Sequence, residues 1–95
     1  MIKHIVMFKL KDRNQVNIEK VVEALKTLED NIDILRSAEI GVNITESERS
    51  YDIALTTVFE SRDDLNAYGP HPKHSPVVDI VRALCSGSVV VDYEI

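Results

Sequence analysis

The stretch Ile2-Lys3-His4-Ile5-Val6-Met7-Phe8-Lys9-Leu10 reads as a β-strand, and as one without a solvent side. Alternation sets Ile2, Val6, Phe8 and Leu10 around His4 on one face and Ile5 and Met7 on the other. A strand that is apolar on both faces needs cover on both. A chain of 95 residues without an internal repeat fits one small domain over residues 1–95, near the lower end of the size at which a single core folds unaided. Help from a partner subunit is therefore expected.

Working outward, Val16 to about Asn31 carries Ile18, Val21, Val22, Leu25, Leu28 and Ile32 at helical spacing, with Glu19, Lys20, Glu23, Lys26 and Glu29 on the opposite side. This is an amphipathic helix with a solvated charged face. Next, Ala38, Ile40, Val42 and Ile44 alternate with Glu39, Gly41, Asn43 and Thr45, and the polar turn Glu46–Ser50 leads into a second arm, Tyr51–Glu60. That pattern is a hairpin. Ser61-Arg62-Asp63-Asp64 reads as a capping box opening a short helix through Tyr68, which stops near Gly69-Pro70. A further helix carries Val77, Val78, Ile80, Val81 and Leu84, with Pro72 or Pro76 as its first residue and a break between His74 and Pro76. Gly87-Ser88 is expected to end it, with Cys85 as a small buried hydrophobe on that helix, before a last strand over Val89–Ile95.

The order β-α-β-β-α-β, with its second helical unit split, suits an α+β fold: a four-stranded antiparallel sheet with helices on one face, the ferredoxin-like arrangement. One helix layer covers one sheet face. Leaving the other wet would forgo, at about 25 cal/mol per Å² of apolar area, many kcal/mol in a domain whose net stability is on the order of 5 to 15 kcal/mol. A second copy of the chain packed sheet to sheet, giving a homodimeric barrel-like body, is the expected solution.

The formal charge of −5 argues against nucleic acid or an anionic membrane as partner, since both require a basic surface. The single cysteine, Cys85, leaves no intrachain disulfide, which fits a reducing cytoplasm. No apolar run is long enough to span a bilayer, and the start Met1-Ile2-Lys3-His4 lacks a signal-peptide hydrophobic region. The expectation is a soluble cytoplasmic protein whose partners are itself and a small organic molecule.

Chemistry concentrates in Tyr68-Gly69-Pro70-His71-Pro72-Lys73-His74-Ser75-Pro76, which holds two of the chain's three histidines. The third, His4, sits on the apolar face of the first strand with Val6 and Phe8 beside it. His71 and His74 have a spacing that shares a helical face, but the prolines disturb it and the stretch supplies no carboxylate to orient a metal-bound imidazole. Neither a metal nor a cofactor is expected.

Taken together, the opening Ile2–Lys9, the passage Phe59-Glu60-Ser61 followed by Asp64-Leu65 and Tyr68, the His71-Pro72-Lys73-His74 element and the terminal Asp92-Tyr93 resemble the stress-responsive dimeric α/β-barrel (Dabb) family over nearly the entire chain. The resemblance implies a ferredoxin-like protomer and a homodimer. Functions within that family differ. Some plant members are similar to stress-associated, very stable assemblies, while olivetolic acid cyclase closes a linear polyketide by aldol condensation. The catalytic tyrosine and second histidine of that cyclase map by motif onto Tyr68 and His74, and His4 and His71 match further pocket histidines. A neutral imidazole with a pKa near 6.5 can remove a proton next to a carbonyl while a phenol hydrogen-bonds the developing oxyanion. This chain differs in Gly69-Pro70, in Lys73 and in having no tryptophan. Three readings follow: a dimer that binds a small organic molecule near His4, Val6, Phe8 and His71; a cofactor-independent cyclase, lyase or isomerase with His74 as base and Tyr68 as donor; and a structural protein without catalysis.

Overall fold

The computed structural model describes residues 1–95. Its elements run β1 (Ile2–Leu10), α1 (Gln15–Asn31), β2 (Ser37–Val42), β3 (Ile53–Phe59), α2 (Arg62–Tyr68), α3 (Ser75–Leu84) and β4 (Cys85–Glu94). The strands form a single antiparallel sheet in the order β2-β3-β1-β4. This is the ferredoxin-like arrangement.

Register divides the sheet cleanly. Ile2 lies opposite Phe59, Val6 opposite Leu55 and Phe8 opposite Ile53 across β1 and β3, so the even residues of β1 and the odd residues of β3 share the face that meets the helices. Against them α1 buries Ile18, Val21, Ala24, Leu25 and Leu28, and α3 buries Val77 and Val81. The 3.6-residue period read from the sequence is the period of this contact. At the start of α1 the Asn14 side chain accepts the Asn17 N–H at 2.9 Å, and at the start of α2 the Ser61 hydroxyl accepts the Asp64 N–H at 3.2 Å. Both caps satisfy amides that have no partner within the helix. The carboxylates of Asp63 and Asp64 in the first turn of α2 also complement its dipole.

The end of β1 is pinned by a buried carboxylate. Asp52 accepts the Leu10 N–H at 2.7 Å and the Arg13 Nε–H at 2.9 Å. Its one carboxyl thus ties β1, the approach to α1 and the entry to β3 together.

The sheet's other face is open. Ile5 and Met7 of β1 lie there beside Val89, Val91 and Tyr93 of β4, and Met7, Val89, Val91 and Tyr93 are 39–49% exposed. A contiguous apolar patch of this kind on a small domain marks a docking surface. No helix is long and apolar enough to cross a membrane.

At element ends two expectations shift, and the break before Pro76 is found to within a residue. The β2 strand stops at Val42: the Asn43 N–H still reaches the Asp52 carbonyl opposite, but the Asp52 N–H goes to the Phe8 carbonyl instead and the Asn43 side chain bonds the Thr45 carbonyl. Ile44, read as a strand residue, is 96% exposed in the loop. The α3 helix begins at Ser75 with Pro76 in its first turn, and His71–His74 forms a separate turn closed by the His74 N–H on the His71 carbonyl. Gly87-Ser88 does not end the helix: α3 stops at Leu84, and Cys85 caps it as the first residue of β4. Cys85 is buried as expected, but on a strand.

Candidate functional site

A cavity of about 310 Å³ opens between the helix-facing side of the sheet and the α2–α3 segment. Val6 and Phe8 of β1, Leu25 and Leu28 of α1, and Leu55 of β3 form its apolar floor, and Val77, Val78 and Val81 of α3 form a wall. The polar groups are few: His4, Tyr68, His74, Arg82 and Ser88. A mainly apolar cleft with a few convergent polar groups has the character of a small-molecule site.

Tyr68 stands at its centre. Its ring centroid lies 4.4 Å from that of His74, 6.0 Å from that of His4 and 5.0 Å from that of Phe59. The position comes from α2, whose last residue is Tyr68 and whose short length ends at Gly69-Pro70. Only 4% of Tyr68 is exposed; its hydroxyl makes no hydrogen bond within the protein, and because every buried side-chain polar atom has a partner, this oxygen keeps some contact with solvent in the cavity. Burial pushes the phenol from its ordinary 10 up to about 12. Tyr68 is thus a neutral donor at any physiological pH, with nothing in the chain to donate to.

His74 lies between α2 and α3, where the break before Pro76 turns its ring back towards Tyr68. Its Nδ1 is 2.9 Å from the Gly69 carbonyl. A carbonyl only accepts, so Nδ1 carries the proton and Nε2 is left with its lone pair in the neutral ring. Burial lowers the pKa of His74 below its ordinary value, nearby His4 and His71 lower it further, and the Gly69 hydrogen bond opposes them. His74 therefore stays a neutral imidazole with a basic nitrogen.

His4 is held in the same sense by Asp92, which lies directly across the β1–β4 ladder and accepts from the His4 Nδ1. The stretch around the histidine-rich turn supplies no such orienting carboxylate. Asp92 comes from the far end of the chain, and the signal that could have found it was pairing of the first and last strands. His71, in contrast, does not line the cavity. Its Nδ1 accepts the Lys73 N–H at 3.1 Å within its own turn, as a proline-flanked loop residue does when it holds local backbone. Cys85 is no poised nucleophile either, since burial and nearby Asp52 raise its thiol pKa, with Lys11 opposing. Nowhere in the chain do three His, Cys, Asp or Glu side chains cluster as metal ligands would.

The stress responsive A/B barrel domain matches residues 2–95. The chain belongs to that family. As a Dabb domain it is similar to an uncharacterized protein of Streptomyces coelicolor, 35% identical over 97 residues, with 99% of each chain covered. Among solved structures it is similar to a dimeric protein of unknown function and ferredoxin-like fold from Bacteroides fragilis, with a TM-score of 0.85 at 33% identity, covering 99% of this chain and 95% of that one. A dimeric ferredoxin-like protein of unknown function from Thermobifida fusca has a TM-score of 0.86 at 26% identity, covering 99% and 90%. Both of these ferredoxin-like neighbours are described as dimeric, and the open sheet face of this Dabb domain is apolar.

Proposed function

We propose that this Dabb domain is a homodimer that binds a small organic molecule in the cavity around Tyr68, with the polar end of the ligand accepting from the Tyr68 hydroxyl. The observation that carries this reading is a phenol 4% exposed, turned into an apolar cavity with no partner of its own. The hydroxyl keeps some contact with solvent, so a ligand oxygen would take the place of water on it while the apolar lining supplies the gain from burial. The dimer is supported by the exposed stripe Met7, Val89, Val91 and Tyr93 and by the dimeric neighbours.

A second reading, an enzyme acting next to a carbonyl, is favoured by the tautomer of His74. With Nδ1–H fixed on Gly69, Nε2 is the base, and a carbonyl oxygen bonded to Tyr68 would place its neighbouring carbon between the two rings. His74 would take the proton, and Tyr68 would stabilise the charge developing on oxygen. His4, oriented by Asp92, would offer a second polar contact.

A thermal-shift screen of small carbonyl compounds and aromatic acids against the wild type, Tyr68→Phe and His74→Ala tests both. A ligand at one hundred times its dissociation constant adds about 2.7 kcal/mol, which moves the melting temperature of a domain this size by roughly several degrees. Binders that lose their effect in Tyr68→Phe support the pocket. Turnover abolished by His74→Ala with binding retained supports the enzyme. If no compound stabilises the wild type and both variants melt much earlier, the residues are structural and the reading is wrong.

A further inference from the structure

We propose that Arg82 is the carboxylate-binding residue of this cavity, and that the ligand is an elongated organic acid whose apolar body lies along α3 with its far end at Tyr68 and His74. The inference rests on the pocket reading above and narrows it to a chemical class.

Arg82 lines the cavity from the last turn of α3. It is exposed and makes no ion pair or hydrogen bond to the protein, whereas Arg13, Arg36 and Arg62 each hold a carboxylate, and Arg49, also free, lies between β2 and β3 away from this cavity. Acidic groups are not in short supply: the chain has 16 against 11 lysines and arginines, and Asp79 lies one turn earlier on the same helix without pairing. A cation at a helix C-terminus complements the dipole, but that role does not require it to face the cavity.

The rest of the lining has the same bias. No aspartate or glutamate lines the cavity, and its other polar groups are a phenol, two imidazoles and a serine. Asp92, the nearest acidic group in the ladder, is engaged by His4. An anion entering this space meets a guanidinium and no negative charge. Arginine suits a carboxylate in particular because its planar fork offers two parallel N–H donors.

Spacing sets the shape of the ligand. His74 and Arg82 are eight residues apart along α3, on the order of 12 Å at a rise of about 1.5 Å per residue. Val77, Val78 and Val81 fill the interval on the cavity side. A molecule that touches both ends is longer than it is wide, and apolar in the middle.

The test is calorimetric titration of straight-chain ω-hydroxy acids from 4-hydroxybutanoate to 10-hydroxydecanoate, and of the corresponding neutral ω-hydroxy amides, into wild type, Arg82→Gln and Arg82→Lys, with circular dichroism confirming that the variants fold. In the wild type the best acid should bind at least about fivefold tighter than its amide, a preference that narrows in high salt as screening predicts. Arg82→Gln should remove the preference while leaving amide affinity within about twofold, and Arg82→Lys should retain part of it. Equal binding of acids and amides to the wild type, or a preference that survives in Arg82→Gln, overturns the role of Arg82 and leaves the pocket standing. Absence of binding by either series overturns the acid assignment; if carbonyl compounds still stabilise the protein through Tyr68, the pocket reading survives that loss.

Discussion

Replacing Tyr68 with phenylalanine keeps the packed ring and removes the hydroxyl, so it isolates what burial does to the phenol. In the folded protein that phenol ionises near 12 rather than 10. The folded state therefore holds the proton more tightly than the unfolded chain does. The resulting stabilisation is fully present below pH 10 and is lost as pH rises from there through about 12. At about 1.36 kcal/mol per tenfold change, the whole effect is on the order of 3 kcal/mol, of which about half is gone by pH 11. Guanidinium unfolding of both proteins at pH 8 and pH 11 measures it as a difference of differences, cancelling the other groups that titrate in that range. Wild type should lose roughly 1 kcal/mol more than Tyr68→Phe between the two pH values. Equal losses would mean that the hydroxyl is fully solvated in the folded state, and the neutral-donor argument for the cavity would fall with it.

Acid should act through His74 in the opposite direction. Its folded pKa lies below the ordinary value because of burial, so its contribution to stability is complete above about pH 6.5 and declines as pH falls through the folded value; His74→Gln should show a shallower fall in denaturation midpoint between pH 7 and pH 5, and parallel curves would contradict the buried neutral imidazole. On the open sheet face, Val91→Asp places an unpaired carboxylate in each half of a two-fold interface. At roughly 3–5 kcal/mol for an uncompensated buried charge, the dimer should weaken at least about a hundredfold. Sedimentation equilibrium over a concentration series reads this directly, and an unchanged association constant would show that β4 does not face a second copy.

How much of this was legible in the chain depended on which interactions are local. Alternation in β1 and the helical period of α1 are properties of short windows, and both emerged at nearly their observed bounds. Ser61 declared its helix because the cap and the amide it serves are three residues apart. The cavity's histidines and Tyr68 stood out for a similar reason, lying close together around two prolines. What stayed hidden depends on residues far apart in sequence. Asp92 becomes the partner of His4 only once the two terminal strands are paired, and Arg82 joins the cavity lining only once α3 lies beside the sheet. Ile44 continues the alternation of β2 in the sequence, but the ladder ends before it, where the Asp52 N–H goes to the Phe8 carbonyl and the Asn43 side chain bonds the Thr45 carbonyl. Cys85 and Gly87-Ser88 were misread because strand β4 starts irregularly, at a point where alternation gives no signal.

That irregular start is a bulge. Between Lys9 and Leu10 the β1–β4 register shifts: Gly87 faces Lys9, yet Cys85 and not Ser86 faces Leu10. Ser86 is the surplus residue, and it reverses the parity of the strand. Before it, the odd-numbered Cys85 points into the core; after it, Ser88, Val90 and Asp92 take the helix side, and Val89, Val91 and Tyr93 the open side. A single ribbon thereby serves two surfaces of different chemistry, and one residue's length of chain decides which side chains go to which. Lengthening the segment from Cys85 to Gly87 by one more residue would, if the first strand kept its place, exchange the two sets. Asp92 would then stand on the apolar face meant for pairing, and the valines would crowd into the cavity in its place.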